Sequence, residues 1–425
     1  MKKLFCFTLV LLMVFGLVAC GENGGNTAKN EGFKIGFARV DVTPEQGVHL
    51  ASYGDAATRI SEGALHSLDV HCIAMSDAGN TVLMITTDLS WGGGWQVMNE
   101  IRPVIQQEFG VPGTNVMYGG THNHNAPDYN YADKYDQIWK EIFKEGIMES
   151  IRLALADRAP ATIEIGRTET ENMTFVRRYY LANGEMTGDN YNYNHNSTIT
   201  AHETEADEEV QIVRFVRDAD HKDIVMVNWQ SHAAKHGHTN YISADYPGEM
   251  RDAVEKALGV HCVFYNGACG NLNPSSRIPG ENAVTTSGYA GAIEVGQKLA
   301  DYVVKALNDT SVMKTLEVGA LKNSQSKFIA SQTWDEANVV AVGGLSFITL
   351  PAEFYDTLGM QLKTETPYDM TVLMGFHNGN GQYLATLEGY KNGGYGPTNT
   401  RYRAGEGEKF VEFYLNMLNE LHAAQ

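Results

Sequence analysis

An α/β fold, built of mixed sheets with flanking helices in a single large domain, is predicted for this 425-residue chain by three observations. Short apolar runs of strand character alternate with stretches of helical periodicity. The composition is globular, at 43% hydrophobic and 20% charged residues, which excludes a disordered tail or a fibre. No internal repeat or long low-complexity linker interrupts the chain after Gly32.

The first element is read as an export signal. Lys2 and Lys3 open it, and the apolar run over residues 4–18 is too short for a comfortable membrane span. It ends in Leu17-Val18-Ala19-Cys20, which is similar to the lipobox of bacterial lipoproteins. Residues 1–19 are therefore expected to be removed, Cys20 to carry the lipid, and residues 20–33 to form a flexible tether. The expected location is the bacterial cell envelope, anchored to the membrane by lipid on the extracytoplasmic side. No second apolar run approaches the roughly twenty residues of a spanning helix.

Along the predicted domain, residues 34–425, strands are expected at 67–76 and 81–87, followed by a helix near 96–109. Ile147, Ile151 and Leu155 recur at four-residue spacing, which predicts a helix ending at Arg158-Ala159-Pro160. Later strands are expected at 210–216, 224–229, 262–265, 345–350 and 370–376. Helices are expected at 248–258, 290–307, 353–362 and 408–421. Residues 179–207, rich in Tyr, Asn, Thr and Glu, read as a surface excursion.

Lys and Arg total 32 against 51 Asp and Glu, a formal charge of −19. Binding to nucleic acid through phosphate contacts is disfavoured by that balance. Five cysteines do not make a disulfide scaffold. Cys6 leaves with the signal and Cys72 lies in an apolar run. Cys262 and Cys269 either form a bridge in an oxidising compartment or remain buried thiols.

Chemistry-bearing residues cluster directly after predicted strands. In Thr121-His122-Asn123-His124, two histidines at i and i+2 share one side of an extended segment, so one can bind a metal while the other acts beside it. Ser231-His232-Ala233-Ala234-Lys235-His236-Gly237-His238 follows the strand at 224–229. His232, closest to the strand end, is the ligand candidate, whereas His236 and His238 are read as solvated loop residues. Glu353, after Pro351-Ala352, stands at an expected helix start, where it either complements the helix dipole or binds a metal. The glycine turn Gly267-Ala268-Cys269-Gly270 can present backbone NH groups to an oxyanion. Asp245 either orients a ligand histidine or caps the following helix.

Taken together and in order, these stretches resemble the N-terminal catalytic domain of the neutral/alkaline non-lysosomal ceramidases, zinc-dependent amidases that cleave the N-acyl bond of ceramide. The resemblance runs from Gly36-Phe37-Ala38-Arg39-Val40-Asp41-Val42-Thr43-Pro44 through Thr121-His122-Asn123-His124, Ser243-Ala244-Asp245-Tyr246-Pro247-Gly248, Gly270-Asn271-Leu272-Asn273-Pro274 and Leu350-Pro351-Ala352-Glu353-Phe354 to Tyr383 and Tyr395. It implies the neutral ceramidase catalytic fold and one zinc ion held by His122, His232, Glu353 and Tyr383. It further implies active-site roles for His124 and Tyr395, and a substrate contact near Arg177. Two departures stand out. Asn273 occupies the place of a family serine discussed as catalytic, which excludes a serine nucleophile there. The chain also stops where many family members continue into an immunoglobulin-like domain.

The implied activity is a zinc-dependent amidohydrolase acting on a small-molecule or lipid N-acyl amide through metal-activated water. His124 would be the general base, and Tyr395 or the Gly270 turn would hold the oxyanion. Asn273 can donate a hydrogen bond but not attack. The alternatives are a lipid- or glycan-binding surface lipoprotein that kept the fold, and a metallophosphoesterase, whose Asp-x-His opening is missing.

Overall fold

The computed structural model describes residues 32–45, 47–188, 198–330, 334–379 and 381–424. The export signal, Cys20 and the tether up to residue 31 lie outside the described residues. No helix among the described residues is long and apolar enough to cross a membrane.

The architecture is mixed α/β, with two sheets packed face to face and helices outside both. The larger sheet has nine strands, in the order His261–Asn266, Ile224–Trp229, Glu209–Arg217, Ala159–Glu169, Lys34–Asp41, Asp69–Asp77, Asn80–Thr87 and Val116–Gly120, with Lys314–Leu316 added beside Ala159–Glu169. The outermost pair at each end is parallel, and the strands between are antiparallel. The second sheet orders Leu321–Ile329, Trp334–Val342, Leu345–Leu350 and Met370–Gly375, and its last pair is parallel.

The expected apolar runs become strands because their alternate side chains feed a shared core between the sheets. Ile73, Met84, Val263 and Phe215 from the large sheet meet Phe347, Val372 and Met374 from the small one. Gly94–Phe109 and Lys134–Ala156 cover one flank of the large sheet, Asp245–Leu258 and Gly288–Leu307 another. Asp356–Glu365 and Glu406–Ala423 cover the small sheet.

The large sheet curls until its two ends meet. Asn266 Nδ2, at the end of one edge strand, donates to the Thr121 carbonyl beyond the other edge strand at 3.0 Å. Tyr265 Oη donates to the Met84 carbonyl at 3.3 Å. The loops after the parallel edge strands are thereby brought together, as expected for ligand sites at strand C-termini.

Several sequence expectations are corrected. Glu353 does not start a helix: Glu353–Phe354 is a short strand, and the helix begins at Asp356. Arg158-Ala159-Pro160 ends a helix but also opens the eleven-residue strand Ala159–Glu169, where Pro160 is tolerated as the second residue. Within residues 179–207, the described part includes the short strands Arg178–Leu181, Met186–Gly188 and Ile199–His202. Cys262 and Cys269 are free and buried, as is Cys72.

Candidate metal centre

His122 and His124 reach the site because the segment after Val116–Gly120 runs beside the segment after Ile224–Trp229. Asn123 and Ala233 form a parallel bridge, and His124 N–H donates to the Ala233 carbonyl at 3.0 Å. Asn123 fixes the segment further, donating from Nδ2 to the carbonyls of Asp88 and Ser243 at 2.9 and 2.6 Å. Asp88 is itself held by a fully buried bidentate pair with Arg251, at 2.8 and 2.6 Å.

Three imidazoles converge. Nitrogens of His122, His124 and His232 lie within 4.8 Å of one another. Glu353 Oε2 sits 3.6 Å from His122 Nε2 and 3.4 Å from His232 Nε2. His232 Nδ1 faces the carbonyls of Cys269 and Leu272, both at 2.9 Å. Those contacts place its proton on Nδ1 and leave the Nε2 lone pair facing Glu353.

Glu353 follows the Leu345–Leu350 strand of the second sheet and lies in a separate two-stranded ladder. It pairs in parallel with Tyr383, and its N–H donates to the Gln382 carbonyl at 3.1 Å. Tyr383 opposes the upward shift of the Glu353 carboxyl, and its hydroxyl accepts from Arg177 Nη2 at 2.9 Å. The same Arg177 nitrogen donates to the Gly270 carbonyl at 2.9 Å. Tyr395 packs edge-on against Tyr383, with ring centroids 5.5 Å apart.

Burial decides the charges. It drives His122, His124 and His232 well below the ordinary imidazole value, so all three are neutral at pH 7. Burial raises the Glu353 carboxyl, an effect opposed by His122 and Arg177. Tyr383 is pushed up by burial first and by Glu353 second.

A metal ion suits this constellation. Among the described residues, His232 Nε2 and Glu353 Oε2, which face each other at 3.4 Å, are buried with no hydrogen-bond partner. Such orphaned atoms are costly unless something compensates them. Ligand atoms about 2.0–2.2 Å from one tetrahedral zinc stand roughly 3.3–3.6 Å apart. The carboxylate-to-imidazole separations match that spacing and exceed an ordinary charge-assisted hydrogen bond. Neutral imidazoles with one carboxylate are also the donor set zinc prefers.

The group opens into a cleft of about 1160 Å³, whose walls include Trp91, Tyr129, Asn273 and Tyr395. Asn273 lies in a two-residue strand paired with Phe175, and its side-chain amide makes no hydrogen bond to any described residue. The Gly270 turn does not offer its N–H to the cleft, because that group donates to the Phe354 carbonyl at 2.8 Å. A Cβ at Gly270 would stand 2.3 Å from the Glu353 carbonyl oxygen, so the turn braces Glu353 instead. No hydrogen bond joins Asp245 to a candidate ligand histidine, but its carboxylate does satisfy a first-turn N–H of the helix it opens. It accepts from the backbone N–H of His236 and Tyr246 at 2.8 and 2.7 Å, and burial pushes it up to about 6. His236 is buried, not solvated, with Nδ1 2.8 Å from Ser243 Oγ. His238 is exposed and pairs with Asp55.

The sequence did not single out three neighbours of the site. Phe376 stacks on His122 at 3.9 Å, and Trp91 packs edge-on against both rings. Arg59, 1% exposed, donates to the His124 carbonyl from Nη1 and Nη2 at 3.0 and 3.1 Å. No motif marks these three, since each acts across long sequence separations.

A sequence model described as the N-terminal domain of neutral/alkaline non-lysosomal ceramidase matches residues 33–269. No curated protein matches the chain. The structure is similar to that of a ceramidase complexed with C2, at TM-score 0.74 and 16% identity over 92% of this chain and 76% of that one. It is also similar to the neutral ceramidase from Pseudomonas aeruginosa, at TM-score 0.68 and 18% identity over 92% of this chain and 75% of that one. At these identities the two likenesses bear on the fold.

Proposed function

Since the chain belongs to the neutral/alkaline non-lysosomal ceramidase family, we propose that it is a zinc-dependent amidohydrolase cleaving an N-acyl, ceramide-like amide bond. The observation that carries this reading is the convergence of three neutral imidazoles and Glu353, with orphaned buried atoms, at the wall of one cleft. His122, His232 and Glu353 would hold the ion, with Tyr383 beside Glu353 as the fourth candidate. Zinc bound there supplies a Lewis acid and lowers the pKa of water toward neutrality.

The remaining steps belong to the chain. His124 is uncharged and adjacent to the ligands, so it is placed to accept a proton from the attacking water and return it to the leaving amine. Asn273 and Tyr395, on the cleft wall, can donate hydrogen bonds to the developing oxyanion. Arg177 holds the Tyr383 hydroxyl, and Tyr383 pairs along the backbone with Glu353. Asn273 offers no nucleophile, so water is the attacking group. On the sequence evidence, we place the enzyme at the cell envelope through lipidated Cys20.

The test is zinc content combined with hydrolysis of a panel of N-acyl amides, ceramide included, with and without chelator, for the wild type and for His122→Ala, His232→Ala and His124→Ala. The first two variants should lose both zinc and turnover, and the third should keep zinc and lose turnover. Chelator-insensitive cleavage, or stoichiometric zinc in His232→Ala, would refute the assignment.

A further inference from the structure

Lys235 lies on the same cleft, three residues beyond His232. It is only 8% exposed. Its Nζ donates to Ser275 Oγ at 2.7 Å and to the Val284 carbonyl at 3.0 Å, which leaves one of its three donors unassigned among the described residues. No described carboxylate makes an ion pair with it. Asp245 and Glu294 act on it only through space. The Asp245 oxygens are committed to backbone N–H groups, and a Glu294 oxygen accepts from Thr286. In a chain of net charge −19, a buried ammonium with no carboxylate in contact is an expensive feature to maintain.

A second observation places the start of a helix beside the ammonium. A Cβ at Gly291 would stand 3.0 Å from Lys235 Cε, so the lysine stem lies against the first turn of the twenty-residue helix Gly288–Leu307. The first-turn N–H groups of that helix carry the positive end of its dipole. Ser287, its N-terminal flanking residue, makes no side-chain capping bond and lines the cleft, as does Ser275. One ammonium bonded to the Ser275 hydroxyl, and a helix N-terminus that begins at Ser287, thus line one cleft, a combination suited to an anionic group.

We infer that Lys235, with Ser275, Ser287 and the start of the Gly288–Leu307 helix, forms a subsite for an anionic group on the substrate. The substrate class is then an N-acyl amide whose polar end carries a carboxylate or phosphate. This inference rests on the amidohydrolase reading for the identity of the scissile bond, but the anion subsite can be measured without turnover.

The experiment compares the zinc-loaded full chain with its Lys235→Met and Lys235→Arg variants. Substrate pairs differ by a single anionic group: N-dodecanoylglycine and N-dodecanoyl-γ-aminobutyrate against their methyl esters, and a short-chain ceramide 1-phosphate against the same ceramide. In the wild type, at least one acid should exceed its neutral partner in kcat/KM by tenfold or more, through KM. That ratio should fall to near one in Lys235→Met and be largely kept in Lys235→Arg. Whether the carboxylate or the phosphate pair shows the larger ratio identifies the anion.

Equal kcat/KM within every pair for the wild type, or an unchanged ratio in Lys235→Met, overturns the inference. If no amide in the panel is cleaved, the hydrolase reading fails by itself, and calorimetric binding of the same pairs decides the subsite. Tighter binding of an acid that is lost in Lys235→Met supports it, and equal binding of acid and ester overturns it.

Discussion

The imidazole of His122 and the ring of Phe376 lie face to face, 3.9 Å between centroids and 8° from parallel, and both residues hold left-handed backbone, with φ of 64° and 60°. Left-handed conformations cost non-glycine residues of order 1–3 kcal/mol each and persist where surrounding structure over-determines them. Two such residues stacked on each other at the metal centre indicate that the orientation of His122 is imposed by the second sheet.

Replacing Phe376 with Ala removes that backing while leaving every candidate ligand in place. Zinc affinity should fall by roughly 10–100-fold, the range seen when groups that orient ligands are lost. Competition with a chromophoric chelator measures it. An unchanged affinity would mean that His122 is held by its own loop alone.

Gly270→Ala should act on Glu353 without touching it. The new Cβ would meet the Glu353 carbonyl oxygen at 2.3 Å, forcing a backbone shift that costs about 1–3 kcal/mol. Both the thermal midpoint and the zinc stoichiometry should drop. Wild-type values for both would remove the turn as a brace.

Arg59→Met should separate catalysis from metal binding. Arg59 grips the His124 carbonyl with two nitrogens, so its loss lets His124 drift while His122, His232 and Glu353 remain held by other contacts. We expect a kcat reduction of about a hundredfold, the cost of roughly 1 Å of misplacement, with zinc retained and KM little changed. Steady-state kinetics with metal analysis would show it, and full kcat would eliminate Arg59 as a positioning residue.

His71 predicts an acid-sensitive fold. It is fully buried in the Asp69–Asp77 strand, and neither ring nitrogen has a hydrogen-bond partner among the described residues. Burial, reinforced by Arg251 and Arg39, lowers its pKa well below the ordinary value. The unfolded chain therefore binds a proton that the folded chain refuses. The contribution of His71 to stability is complete above its unfolded value of about 6.5 and is lost as pH falls below it, at up to about 1.4 kcal/mol per pH unit. His71→Phe should flatten the acid limb of a urea-midpoint profile between pH 7.5 and 5.5. A profile parallel to the wild type would exclude this residue as its source.

Whether a residue's role is legible in the sequence depends on the distance over which that residue acts. Runs such as Ile224–Trp229, Leu345–Leu350 and Met370–Gly375 are apolar enough to be read directly, because each is buried along its whole length. His122 and His232 were legible because both follow such runs. Leu321–Ile329 was not, since its middle residues are polar and only partly buried. Glu353 was assigned to a helix because nothing local reveals that its pairing partner is Tyr383, thirty residues on. Phe376, Arg59 and Lys235 touch the site only once the large sheet has curled and the second sheet has docked, so their roles are tertiary facts with no local signature.

The division of the centre between two segments of the chain also governs when it can exist. His122, His124 and His232 precede the end of the family-matched segment at residue 269, whereas Glu353 and Tyr383 follow it. As the chain is made from its N-terminus, the three imidazoles emerge first and the carboxylate more than a hundred residues later. The early-emerging segment therefore carries the imidazoles of this site but not its carboxylate. The full donor set is complete only once Glu353 has joined the three imidazoles, so the proposed site depends on both halves of the chain.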